Sequence, residues 1–160
     1  MIIVLMGVAG VGKTTVGRAL AEELQWRFAD GDDFHSPANI AKMHSGIPLT
    51  DEDRLPWLQS LQDFIRRCLA SGERVVLACS ALKASYRKFL RVDPRVKLVY
   101  LRGNMDLITQ RLLSRQGHYM NPHLLRSQFE TLEEPTDILT VDAGLPVADI
   151  AQQIRAGLAV

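Results

Sequence analysis

The sequence predicts an α/β fold: a five-stranded parallel sheet between two layers of helices, a three-layer αβα arrangement in a single domain spanning 1–160. Three observations carry this. Apolar runs of strand length alternate with helical patterns along the whole chain, which is the signature of βαβ units. The strand runs are unbroken and do not alternate with polar residues, as expected for strands covered on both faces. The first strand leads into Gly7-Val8-Ala9-Gly10-Val11-Gly12-Lys13-Thr14, which fits the P-loop pattern G-x-x-x-x-G-K-[ST] at every fixed position.

Taken in order, Ile2–Met6 is the first strand and Gly12–Leu24 the first helix. Glycines let the loop between them wrap phosphate oxygens with inward N–H groups, and the helix N-terminus adds partial positive charge. Within Gly7–Thr14 and the following Thr15, Lys13 is placed to reach the β/γ-phosphates and Thr14 to ligate Mg²⁺, so the motif reads as a nucleoside triphosphate site with Mg²⁺. Arg27–Asp30 is a short second strand, and Ala38–His44 a short helix ended by Gly46 and Pro48. Thr50 reads as an N-cap with Asp51, Glu52 and Asp53 in the first turn, and Leu58, Leu61, Ile65 and Leu69 form one buried stripe before Ser71-Gly72. Val75–Cys79 and Val96–Leu101 are strands flanking a helix at Ala84–Leu90. Met105–Arg115 and Leu124–Leu132 are helices around a break at Gly117–Pro122, followed by a strand at Ile138–Val141 and a helix at Val147–Leu158.

Composition narrows the classes. With 160 residues, 47% hydrophobic and 23% charged, the chain reads as a soluble domain with a real core. A net charge of +1 gives no reason to expect a nucleic-acid or membrane partner, and no apolar run approaches the ~20 residues of a membrane span. Cys68 and Cys79 lie in apolar contexts and read as buried free thiols. The N-terminus shows no signal-peptide pattern, so a cytoplasmic location is expected.

Ligands of such a sheet gather at the carboxyl ends of its strands. After the second strand comes Asp30-Gly31-Asp32-Asp33-Phe34-His35, and Asp32 is the expected working carboxylate, supporting Mg²⁺ with Thr14 and accepting a proton. No acid stands at the end of the third strand, where many P-loop enzymes carry one. Lys83 and Arg87 share a helix face, compatible with binding a carboxylate or phosphate or with a solvated basic face. Arg54 sits at a helix start, where a cation opposes the macrodipole; it suits a substrate carboxylate or a local pair with Asp51 or Asp53. Arg111 and Arg115, running into Gly117-His118, have the layout of a lid over roughly 111–127. Trp26 and Trp57 read as core residues. Together these features describe a small-molecule kinase with Lys13, Asp32, Arg111 and Arg115 as its catalytic set.

Several segments then resemble one family, the gluconate kinases among the P-loop small-molecule kinases. The selective ones are Cys79-Ser80-Ala81-Leu82-Lys83 and Gln128-Phe129-Glu130-Thr131-Leu132-Glu133-Glu134-Pro135, with Gly46–Arg54, Pro56-Trp57-Leu58 and Arg115–Met120. The resemblance implies an adenylate/shikimate-kinase-like core with a lid, ATP-dependent phosphorylation of D-gluconate, and a homodimer. It also implies a sugar-acid pocket in which Arg54, Lys83, Arg87 and His118 offer cations while Asp30, Asp32, His35 and Gln128 serve the hydroxyls.

Overall fold

Every residue of Ile2–Met6 (β1) is fully buried, and a strand shielded on both faces must lie mid-sheet with a layer on either side. The computed structural model, which describes residues 1–114 and 122–160, has that arrangement. Arg27–Asp30 (β2), Val75–Ala78 (β3), Val96–Arg102 (β4) and Leu139–Asp142 (β5) complete an all-parallel sheet of order β2-β3-β1-β4-β5. The helices are Lys13–Leu24 (α1), Pro37–His44 (α2), Asp51–Ser71 (α3), Ala84–Leu90 (α4), Met105–Ser114 (α5), Pro122–Thr131 (α6) and Val147–Leu158 (α7).

Side chains alternate across β1. Ile2, Val4 and Met6 join Trp57, Leu61 and Ile65 of α3 and Leu90 of α4 in one core. Ile3 and Leu5 join Val16 and Leu20 of α1, Ile108 of α5, and Ile150 and Ile154 of α7 in the other. Burying each such side chain contributes about 1.5–3 kcal/mol, which is what holds the helix layers against the sheet. The register aligns Leu5 with Ala78 and Met6 with Tyr100, so the carboxyl ends of β1, β3 and β4 open on one edge. β2 joins that edge through the pairing of Asp30 with Ala78. Both cysteines are free and buried. No helix among the described residues is long and apolar enough to cross a membrane.

Most predicted elements match within a residue or two, and the differences have local causes. α2 begins at Pro37 because Ser36 caps it, its hydroxyl accepting from Asn39 N, and proline is well placed in a first helical turn. α6 likewise starts at Pro122, which the sequence reading took as the end of a break. Residues 122–127 of the expected lid are thus helical, while the break from Gly117 onward lies outside the described residues up to Pro122. Gly31–Phe34, expected only as an acidic stretch, is a 3₁₀ turn with Asp30 as its cap.

α3 is fixed at its start by a reciprocal capping box. Asp53 N donates to Thr50 Oγ1 (3.1 Å), and Thr50 N donates to Asp53 Oδ2 (2.9 Å). Replacing Thr50 by alanine should destabilise the protein by about 1 kcal/mol, read as a lower denaturation midpoint with an unchanged slope.

Candidate active site

The P-loop leaves β1 through Gly7, whose φ is +149° and whose absent Cβ would lie 2.8 Å from the carbonyl oxygen of Leu101. No other residue fits between these two backbones. Gly12, at φ +106°, turns the chain into α1. Lys13 folds back over the loop and donates to the carbonyls of Gly7 and Val8, both at 2.9 Å. Burial lowers the Lys13 pKa, and the Asp32 carboxylate opposes that shift.

The second wall is the Asp30–His35 turn. Thr14 Oγ1 donates to Asp30 Oδ2 (2.9 Å), while Asp30 Oδ1 accepts from Asp32 N (3.0 Å). The carboxylate bonded to Thr14 is that of Asp30, two residues before Asp32. Asp30 is drawn there because it is the last residue of β2, level with the end of β3, and one of its oxygens already caps the turn. Asp32 opens to the cleft, and its pKa is raised by desolvation and by the Asp30 carboxylate, with Lys13 pulling the other way. A carboxylate with a raised pKa beside a lysine is a competent proton acceptor. No acid stands after β3: Cys79 occupies that place, buried, with its thiol pushed up to about 12. Among the described residues no three His, Cys, Asp or Glu side chains form a metal-holding group. Oxygen atoms of Thr14 and Asp30 suit a hard cation such as Mg²⁺ only as partners to ligands that a nucleotide brings.

Trp57 is buried, as expected of a core residue, yet its indole also builds the site. Its Nε1 donates to the Gly31 carbonyl (2.7 Å), and its ring stacks on His35 at 4.3 Å between centroids. Asn39 Nδ2 lies 3.3 Å from His35 Nδ1 and donates to the Asp53 carbonyl (2.8 Å). An amide NH₂ only donates, so Nδ1 is the acceptor and the ring is neutral with its proton on Nε2. Burial, and then the charge of Arg54, lower the His35 pKa to about 4.

Beyond His35, Arg54 donates to Tyr86 Oη (3.1 Å) and lies over its ring. Asp51 pairs with Lys83 (2.9 Å) and accepts from Tyr86 Oη, so neither acidic partner expected for Arg54 holds it. Asp53 instead pairs with Lys42 at 2.9 Å. Asn39 and Tyr86 had no role assigned from the sequence, and Asp51 was named only as a helix-start acid and a partner for Arg54. A buried asparagine in a short helix, and a tyrosine three residues after Lys83, were the only available signals.

Arg87 departs from its expected role. It is 7% exposed, and its guanidinium is occupied by the carbonyls of Ala81, Leu82 and Glu133 at 2.9–3.0 Å. It clamps the loop after β3, where Ala81 holds a left-handed φ of +44°, a conformation costing about 1–3 kcal/mol. Glu133 tightens the same loop, its N donating to the Leu82 carbonyl (2.9 Å) and its Oε1 accepting from Ala84 N (3.2 Å). Arg111 lies across the P-loop, donating to the carbonyls of Val11 (3.0 Å) and Ala143. Gln128, expected among the groups for substrate hydroxyls, has its side-chain oxygen on Ala9 N at 3.2 Å. Thr15 is exposed in the first turn of α1. Arg115 and His118 lie outside the described residues.

Two expectations follow. An unfolded chain protonates His35 near 6.5 and the folded one only near 4. The neutral ring's contribution to stability is therefore complete above 6.5 and declines as pH falls toward 4, and His35→Gln should lose that part of the slope in pH-dependent melts. Arg87→Lys leaves carbonyls without donors, and should lower stability by about 1–3 kcal/mol while raising the acceptor KM more than the ATP KM.

Comparison with known proteins places this geometry. The shikimate kinase family model matches residues 9–154. The chain is 47% identical to a probable gluconokinase of Rattus norvegicus, over 91% of each chain. It is 44% identical to the thermosensitive gluconokinase of Escherichia coli K12, over 95% of this chain and 84% of that one. The crystal structure of a gluconokinase from Sinorhizobium meliloti superimposes with a TM-score of 0.89 at 46% identity, covering 98% of this chain and 90% of that one.

Proposed function

This chain belongs to the gluconokinase family, and from that premise we propose how its cleft moves a phosphoryl group from ATP to D-gluconate. The enzyme is a kinase that converts D-gluconate to 6-phospho-D-gluconate with ATP as donor. The observation that carries the division of roles is the charge coupling of Asp32 to the P-loop lysine, from the turn that Asp30 and His35 cap.

On the donor side, the loop Gly7–Thr15 wraps the phosphates with the N–H groups at the start of α1, and Lys13, still aligned by the Val8 carbonyl, turns its remaining N–H groups to phosphate oxygens. Thr14 and Asp30 would hold a Mg²⁺ that accompanies the nucleotide, and such an ion would supply positive charge to offset that of the phosphates. Arg111, already lying over the loop at Val11, adds positive charge on the same side. Arg115 keeps the role that its spacing from Arg111 suggests.

On the acceptor side, Arg54 and Lys83 receive the gluconate carboxylate, and His35, held neutral by Asn39 and Trp57, offers its Nε2 proton to a hydroxyl. His118 remains assigned to the same acid group. Asp32 orients the terminal hydroxyl and takes its proton as the new O–P bond forms and the bond to ADP breaks.

A coupled ADP-release assay over D-gluconate, other sugar acids, shikimate, AMP and CMP tests the acceptor, with gluconate expected to give the highest kcat/KM. Asp32→Asn should lower kcat by about 10²–10⁴ with ATP binding retained. Near-normal turnover in a folded Asp32→Asn protein would assign the base elsewhere.

A further inference from the structure

One peptide unit of the P-loop is held from both sides. The Val8 carbonyl accepts from Lys13 Nζ at 2.9 Å, and the N–H of the same peptide, on Ala9, donates to Gln128 Oε1 at 3.2 Å. In a planar trans peptide these two groups point in opposite directions. Lys13 and Gln128 therefore hold opposite edges of the planar Val8–Ala9 unit, and rotating that plane would break both bonds.

Gln128 is equipped to hold it. The donor is a backbone N–H, so the bonded atom of the side chain must be its oxygen. Gln128 is half-buried, and Leu125 and Phe129 beside it pack into the core shared by Val11, Val16 and Ile108. Its carbonyl accepts from Leu132 N (3.0 Å), one residue before Glu133 binds the loop after β3. The amide thus stands on a helix anchored next to the P-loop and also tied to the acceptor side.

We propose that Gln128 is a positioning residue of the donor site, which fixes the Val8–Ala9 peptide and through it the carbonyl that aligns Lys13. This rests on the ATP-binding reading above and moves Gln128 away from the substrate hydroxyls. A carboxylate oxygen also accepts from a backbone N–H, so glutamate keeps the bond to Ala9 while adding a charge that opposes the phosphates, whereas methionine keeps the bulk and loses the acceptor.

The test compares Gln128→Glu and Gln128→Met with the wild type by steady-state kinetics, varying ATP and D-gluconate separately. Binding of a non-hydrolysable ATP analogue is also measured without acceptor. The proposal expects Gln128→Met to weaken analogue binding and raise the ATP KM about threefold to tenfold, with the gluconate KM unchanged in both variants. If both variants raise the gluconate KM with analogue binding intact, Gln128 contacts the acceptor and the proposal falls. If neither variant changes anything, it falls as well. Failure of the wild type to bind the analogue would instead overturn the ATP reading itself.

Discussion

The complete burial of β1 is the constraint from which the remainder follows. A strand with no exposed side chain has no room for polar chemistry along its length, so reactive groups are confined to where strands end. β1 gives way at Gly7, pressed against the Leu101 carbonyl, and the chain must turn there into the loop that leads to the N-terminus of α1. β2 ends level with β3 and delivers Asp30 to Thr14. The loop after β3 meets the P-loop directly, Gly7 N donating to the Ser80 carbonyl (3.2 Å). The P-loop and the Asp30–His35 turn leave the ends of β1 and β2, two strands of one sheet with β3 between them.

The loop after β3 shows how a buried cation serves without meeting a ligand. Arg87 has hydrogen-bonding capacity suited to a carboxylate, but it is consumed by carbonyls that would otherwise be buried and unpaired. That use sustains the left-handed backbone at Ala81, which in turn aims Lys83 toward Asp51 and Tyr86. Polar groups at the cleft thus form two tiers, one facing the cleft and one holding the first in place.

Local patterns made the fold and the P-loop readable from sequence. The P-loop, the strand runs and the Thr50 cap depend on residues close together in the chain, and they fell where expected. The second tier did not, because it depends on contacts between distant residues. Arg87 and Lys83 are equivalent by helical spacing, yet one is nearly buried and the other is not. Asp30 and Asp32 differ by two positions in an acidic run, and only the pairing of β2 with β3 decides which one reaches Thr14. Trp57 was rightly placed in the core, but the direction of its N–H is invisible to hydrophobic periodicity.

The thiol of Cys79 bears on how much negative charge the cleft must tolerate. Asp30 and Asp32 already face a lysine there, and both substrates, a nucleotide and a sugar acid, are anions. A carboxylate at the end of β3 would add a further negative charge within a few ångströms of the transferring group, where low dielectric magnifies repulsion. With its pKa pushed up to about 12, Cys79 stays uncharged at physiological pH and fills that position as a small apolar residue. Two anions can then be brought together at the end of β3 without a third fixed carboxylate opposing their approach.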